Sequence, residues 1–146
     1  MLSRTSEYAL RAMVYLAQQA QDGPVPGRQI ARDTGIPAKY LSAILSDLVR
    51  AGVLTSAPGK KGGFAMARPP DRIKLKSVLD PFESTLGPVR PCPFGNTTCN
   101  DRDPCAGHDR WKQVKDAYTR FLAETTLYEV SVQRAAGTGS KKRKRR

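Results

Sequence analysis

Residues 27–67, GRQIARDTGIPAKYLSAILSDLVRAGVLTSAPGKKGGFAMA, leave the chain few architectural choices. GRQIARDTG is a short helical segment that stops at Gly35, and Pro37 suits the first turn of the helix that follows. Within that second helix Leu41, Ile44, Leu45, Leu48 and Val49 recur at i, i+3, i+4, i+7 and i+8, so one face is core. Gly52 suits the residue just past its end. LTSAPGKKGGFAMAR then reads as two short strands around a Pro-Gly-Lys-Lys-Gly-Gly loop. Helix, tight glycine turn, helix and hairpin, in that order, describe a winged helix. The predicted class is mainly α with a small β wing.

Such a unit reads double-stranded DNA by placing the N-terminal turns of its second helix in the major groove. Ala38, Lys39, Tyr40 and Ser42 occupy those turns, off the apolar stripe. Lys60 and Lys61 sit on the hairpin tip, where flanking glycines let the backbone approach phosphates or a minor groove. Arg28, opening the preceding helix, completes the DNA-facing set. The alternative is a core hairpin with solvated lysines; the helix pair in front of it argues for the wing.

Upstream, SEYALRAMVYLAQQAQDG carries Ala9, Leu10, Met13, Val14 and Ala17 at helical spacing, with Gly23-Pro24 as its stop. Downstream, IKLKSVLDPFESTLG reads as a short strand and helix. A longer helix starts near His108, with Trp111, Val114, Tyr118, Phe121, Leu122 and Thr125 at near-helical spacing over about four turns. A long helix ending a small DNA-binding domain suits a homodimer interface, because such readers usually work in pairs. The expected organisation is a winged-helix domain over 1–84, a cysteine-rich loop over 85–108, a dimerisation helix and terminal segment over 109–134, and a disordered basic tail over 135–146.

The loop holds every cysteine of the chain and its one histidine. Cys92, Cys99, Cys105 and His108 are spaced C-x6-C-x5-C-x2-H. No apolar run approaches the roughly 18 residues of a membrane span, and Arg4, Glu7 and Arg11 break up the N-terminus where a secretion signal needs an apolar stretch. A cytoplasmic, reducing setting is therefore expected, where clustered cysteines more often bind metal or react than form a disulfide framework. Spacing alone suits a structural Cys3His zinc site or an iron–sulfur site.

Net charge is +12, and 141–146, KKRKRR, carries six of those charges. A basic body with a basic tail points to a polyanion partner, nucleic acid in the first instance; a merely solvated tail is the alternative. One histidine, without paired carboxylates beside it or a phosphate loop elsewhere, argues against an enzyme. An electron carrier would leave the winged helix without a purpose.

LSRTSEYALRAMVYLA, the block IARDTGIPAKYLSAILSDLVRAGVLTSAPGKKGGFAMARPP, and the cysteine loop running into HDRWKQVKDAYTRFLAETTLYEV together resemble the IscR/NsrR-type family of bacterial iron–sulfur winged-helix transcription regulators. The likeness runs to about residue 133. It implies a homodimer, a DNA operator, and an iron–sulfur cluster on Cys92, Cys99 and Cys105, [2Fe-2S] rather than [4Fe-4S], whose loss or modification changes DNA affinity. The first cysteine gap is one residue longer than the usual family pattern. His108 is the nearer candidate for fourth ligand, by its offset from the last cysteine. Glu7 is the other, where nitric-oxide sensors of the family place a carboxylate supplied by the partner subunit's first helix. The signal is expected to be redox state, nitric oxide or iron–sulfur status, with a zinc site or a thiol-oxidation switch as the alternative.

Overall fold

The structure, a computed structural model, describes residues 2–19, 22–83 and 91–136; the basic run 141–146 lies outside them. Ser3 opens the first helix, α1 (Arg4–Gln18), by accepting a hydrogen bond from the Ser6 N–H at 3.1 Å, which satisfies one of the donors a helix start leaves open. Its apolar positions Ala9, Ala12, Met13 and Leu16 are buried. The helix ends at Gln18, short of the Gly23-Pro24 stop.

α2 (Gly27–Thr34) ends on Gly35, whose φ of +70° is the left-handed conformation that lets the chain turn at once into α3 (Ala38–Arg50). Pro37 caps α3 from just outside rather than sitting in its first turn. The predicted stripe behaves as expected: Leu41, Ile44, Leu45 and Leu48 are buried, and Val49 is half-buried against the same core. Each fully buried leucine contributes about 1.5–3 kcal/mol.

β1 (Leu54–Ala57) and β2 (Gly63–Met66) pair antiparallel, with Leu54 opposite Met66 and Ala57 opposite Gly63. The wing is fastened to the head at its base, where Val25 and Phe64 exchange backbone hydrogen bonds at 2.9 and 2.8 Å. A short 3-10 turn (Pro70–Arg72) and α4 (Leu75–Leu79) follow. The strand expected in this stretch is reduced to a single bridge, Lys74 to Thr126.

The C-terminal helix is two helices. α5 (His108–Glu124) stops at Thr125, and α6 (Leu127–Ala136) begins after a sharp break, continuing two residues into the stretch read as tail. Backbone bonds stitch the break to the segment behind the wing: Leu75 N–H to Thr125 O at 3.0 Å and Leu127 N–H to Ile73 O at 2.8 Å. Leu122 and Leu127 thereby join the same core as Leu41 and Leu48. α6 also lies against α1, where the Gln18 side-chain amide donates to Ser131 O at 3.3 Å.

Candidate functional site

Two surfaces carry chemistry, and the first is the face of α3 and the wing. Ala38, Lys39, Tyr40 and Ser42 are all exposed on the opening turns of α3, and Tyr40, 59% exposed, is a large aromatic held out in solvent. Arg28 is exposed on α2. It borders a cleft of about 270 Å³ whose walls include Ala38, Ser42 and Phe64, so helix pair and wing meet there. Lys60 and Lys61 are exposed at the hairpin tip.

The tip turns as sharply as it does because Gly62 and Gly63 lack side chains. A Cβ on Gly62 would stand 2.1 Å from Ala57 O, and one on Gly63 2.3 Å from Val25 O. Gly63 also holds a φ of +144° that other residues rarely adopt.

The second surface is the cysteine segment, folded back on itself at the start of α5. Cys92 N–H donates to Asn96 O at 3.0 Å, and the Asn96 amide donates to Asp103 O at 2.9 Å. Asn100 Oδ1 accepts from the N–H groups of Arg102 and Asp103, each at 2.9 Å. These bonds return the chain so that Cys92 Sγ and Cys105 Sγ lie 3.3 Å apart. Phe94 closes over the turn, edge-on to Trp111 of α5 with ring centroids 6.2 Å apart.

Cys99 and His108 form the other pair, with Cys99 Sγ 3.8 Å from His108 Nδ1. His108 is buried, and its Nε2 lies 2.9 Å from Asp101 Oδ1. Asp101 is held by Lys112, whose Nζ donates to both carboxylate oxygens at 2.8 and 2.9 Å. That ammonium first, and His108 second, lower the Asp101 carboxyl to about 2. An ionised carboxylate only accepts, so neutral His108 carries its proton on Nε2 and turns the Nδ1 lone pair toward Cys99. Lys115 Nζ donates to Cys99 Sγ at 3.1 Å.

Among the thiols, Cys92 is held below its ordinary value, chiefly by the Phe94 N–H, which reaches its sulfur at 3.4 Å. Cys105 is raised, chiefly by its hydrogen bond with Cys92 and then by burial.

Among the described residues no group of three or more His, Cys, Asp or Glu side chains closes around one point; the four soft donors stand as two pairs. Two thiolates on one tetrahedral ion, with metal–sulfur bonds near 2.3 Å, stand about 3.8 Å apart. The Cys92–Cys105 pair must therefore open slightly to hold a metal. The Cys99–His108 pair is already at ligand spacing. The donor types suit a soft or borderline metal. Glu7 is exposed in the first turn of α1 and, among the described residues, has no hydrogen bond or ion pair to the cysteine segment of its own chain.

Asp101, Lys112 and Lys115 did not emerge from the sequence. A signal was present: His108, Lys112 and Lys115 fall at i, i+4 and i+7 of one helix and so share a face.

Residues 2–133 match the Rrf2 family, described as iron-dependent transcriptional regulators. The chain belongs to this family. It is 31% identical to the HTH-type transcriptional regulator IscR of Pectobacterium atrosepticum over 129 residues, which cover 88% of this chain and 77% of the relative. Two solved structures superpose with a TM-score of 0.77 and 26% identity. One is CymR, the global cysteine regulator of B. subtilis, where the match covers 91% of this chain and 97% of that one. The other is T. potens IscR, where it covers 97% and 93%. As an Rrf2-family member the chain is a DNA-binding transcriptional regulator built on a winged helix, and its named relatives are regulators rather than enzymes. Among the described residues no helix is long and apolar enough to cross a membrane.

Proposed function

We propose that this chain is a cytoplasmic, homodimeric regulator that senses redox state, nitric oxide or iron–sulfur status through a [2Fe-2S] cluster held by Cys92, Cys99, Cys105 and a fourth ligand, His108 or the partner's Glu7. The observation that carries the proposal is the two-by-two pairing of the donors, 3.3 Å between Cys92 and Cys105 and 3.8 Å between Cys99 and His108. A two-iron cluster takes two protein ligands on each iron, so Cys92 with Cys105, and Cys99 with His108, match its demand. A [4Fe-4S] cube takes one ligand on each of four irons and gains nothing from pairing. The IscR-type relatives support the same cofactor.

Bound, the cluster supplies a centre that oxidants, nitric oxide or iron loss can alter. The chain's own groups support thiolate ligation: the Phe94 N–H reaches Cys92, the Lys115 ammonium reaches Cys99, and Asp101 aims the His108 ring. α5 begins on this site and ends at the stitch to Ile73 and Leu75, directly behind the wing. A rearranged loop therefore has a short, packed route to the DNA-facing head. On the DNA, Ala38, Lys39, Tyr40 and Ser42 read base edges, while Arg28, Lys60 and Lys61 hold phosphates.

The test is the visible absorption spectrum and metal content of protein purified without oxygen. A coloured protein with iron and sulfide in equal amounts is expected. A colourless protein with stoichiometric zinc overturns the cluster and leaves a structural Cys3His zinc site in its place.

A further inference from the structure

We infer that the metal-free chain is a peroxide-reactive dithiol in which Cys92 and Cys105, and not Cys99, close a reversible disulfide. The inference goes beyond the cluster reading and does not depend on it. Three cysteines allow three pairings. Chain statistics favour the short loops, 92–99 and 99–105, because closure costs less the fewer residues it spans. The fold reverses that order.

The Cys92 turn and the Asn96–Asp103 bond bring the two ends of the segment together and set Cys92 Sγ 3.3 Å from Cys105 Sγ. Cys99 is drawn the other way, onto the face of α5, where its sulfur meets Lys115 Nζ at 3.1 Å and His108 Nδ1 at 3.8 Å. The backbone bonds that produce this arrangement are protein–protein bonds and need no metal. Cys92 is buried and Cys105 half-buried, so the pair is reached from one side, past Cys105.

The chemistry balances with hydrogen peroxide as the oxidant. One sulfur attacks the peroxide; an S–O bond forms, the O–O bond breaks, and the departing hydroxide leaves as water with a proton from the site. The second sulfur then attacks the first, forming the S–S bond and expelling the oxygen as a second water. Two thiols and one peroxide give one disulfide and two waters. The link removes two of the three thiolates from any metal site, so the oxidised segment must be reduced before it can be loaded.

The test uses the full chain, freed of metal with chelator and reductant under nitrogen, then treated with hydrogen peroxide. Remaining thiols are blocked and the protein is cut with chymotrypsin and trypsin together. Cleavage after Phe94 separates Cys92 from Cys99, and cleavage after Arg102 separates Cys99 from Cys105. The expected product is a peptide pair joining Cys92 to Cys105, lighter by two hydrogens than its reduced parts, with the blocking group on Cys99. Dithiothreitol should abolish it. Cys99→Ser should form the same link, and Cys105→Ser should leave Cys92 unlinked within the chain. A main link that contains Cys99, or sulfenic and sulfonic acids without any link, overturns the inference. The wild-type peptide map decides between these outcomes even where a variant folds poorly.

Discussion

His108 is buried between a thiol and a carboxylate, whereas Glu7 stands in solvent on the first turn of α1. The two candidates for fourth ligand therefore differ in what their loss should do. If His108 binds, His108→Ala shifts the visible spectrum of the anaerobic protein and hastens its bleaching, while Glu7→Ala leaves both unchanged. A spectrum moved by Glu7→Ala alone would transfer the ligand to the partner's first helix. At the wing, Lys60 and Lys61 project from a turn that only glycine at 62 and 63 can make. Replacing both lysines by alanine should weaken operator and random DNA alike, and flatten the salt dependence by about 0.9 in log–log slope per lost phosphate contact. An unchanged slope would mean that the hairpin tip does not touch DNA. Lys39, Tyr40 and Ser42 act differently, since loss of a good base contact costs about 1–3 kcal/mol of discrimination at one position.

The break between α5 and α6 shows how an element boundary is set. Thr126 caps α6 in a reciprocal arrangement with Glu129: the Glu129 carboxylate accepts from the Thr126 N–H at 2.6 Å and from its hydroxyl at 2.8 Å. The Thr126 hydroxyl in turn accepts from the Glu129 N–H at 3.3 Å. Thr126→Ala should cost about 1 kcal/mol in denaturant unfolding, the usual worth of such a cap. The Thr126 N–H first, then its hydroxyl, lower the Glu129 carboxyl from its ordinary 4.5. A depressed folded value means the carboxylate's contribution is fully present above about pH 4.5 and is lost as pH falls through the lower folded value. Melting curves of wild type and Glu129→Gln should therefore differ at pH 7 and converge under acid. A gap that persists well below pH 4 would show that the glutamine acts through packing rather than charge.

At the scale of the whole molecule, α5 and α6 carry an uncovered apolar face. Val114 and Phe121 lie two turns apart on one side of α5, Phe121 being 50% exposed, and Tyr128 and Val132 are exposed on α6. Apolar groups of this size contribute stability only when removed from water, and a second copy of the chain is the expected cover. Phe121→Glu should shift sedimentation from dimer to monomer and sharply weaken binding to a two-half-site operator, while the core around Leu122 stays intact. A dimer that survives the substitution would locate the interface elsewhere. Operator spacing then follows from the dimer, because two α3 helices related by a two-fold axis address successive turns of one DNA face.

Local physics made much of this readable along the chain. The α3 stripe is a 3.6-residue period, the α2–α3 turn needs a residue tolerant of positive φ, and the wing needs two glycines where backbones touch; each is decided within a few neighbouring residues. The Thr126–Glu129 pattern was local too, and it marks a helix start that the apolar spacing from Trp111 to Thr125 conceals. Other features depended on residues far apart. Spacing gives three cysteines and a histidine but not which sulfurs meet, because bonds from Asn96 and Asn100 fold the segment before any thiol finds a partner. Likewise Glu83, distant in sequence, accepts from the Ser3 N–H at 3.1 Å at the head of α1. Leu122 and Leu127 return the C-terminal helices to the head's core. Side-chain periodicity reports which face of an element is buried; only the closed fold decides what buries it.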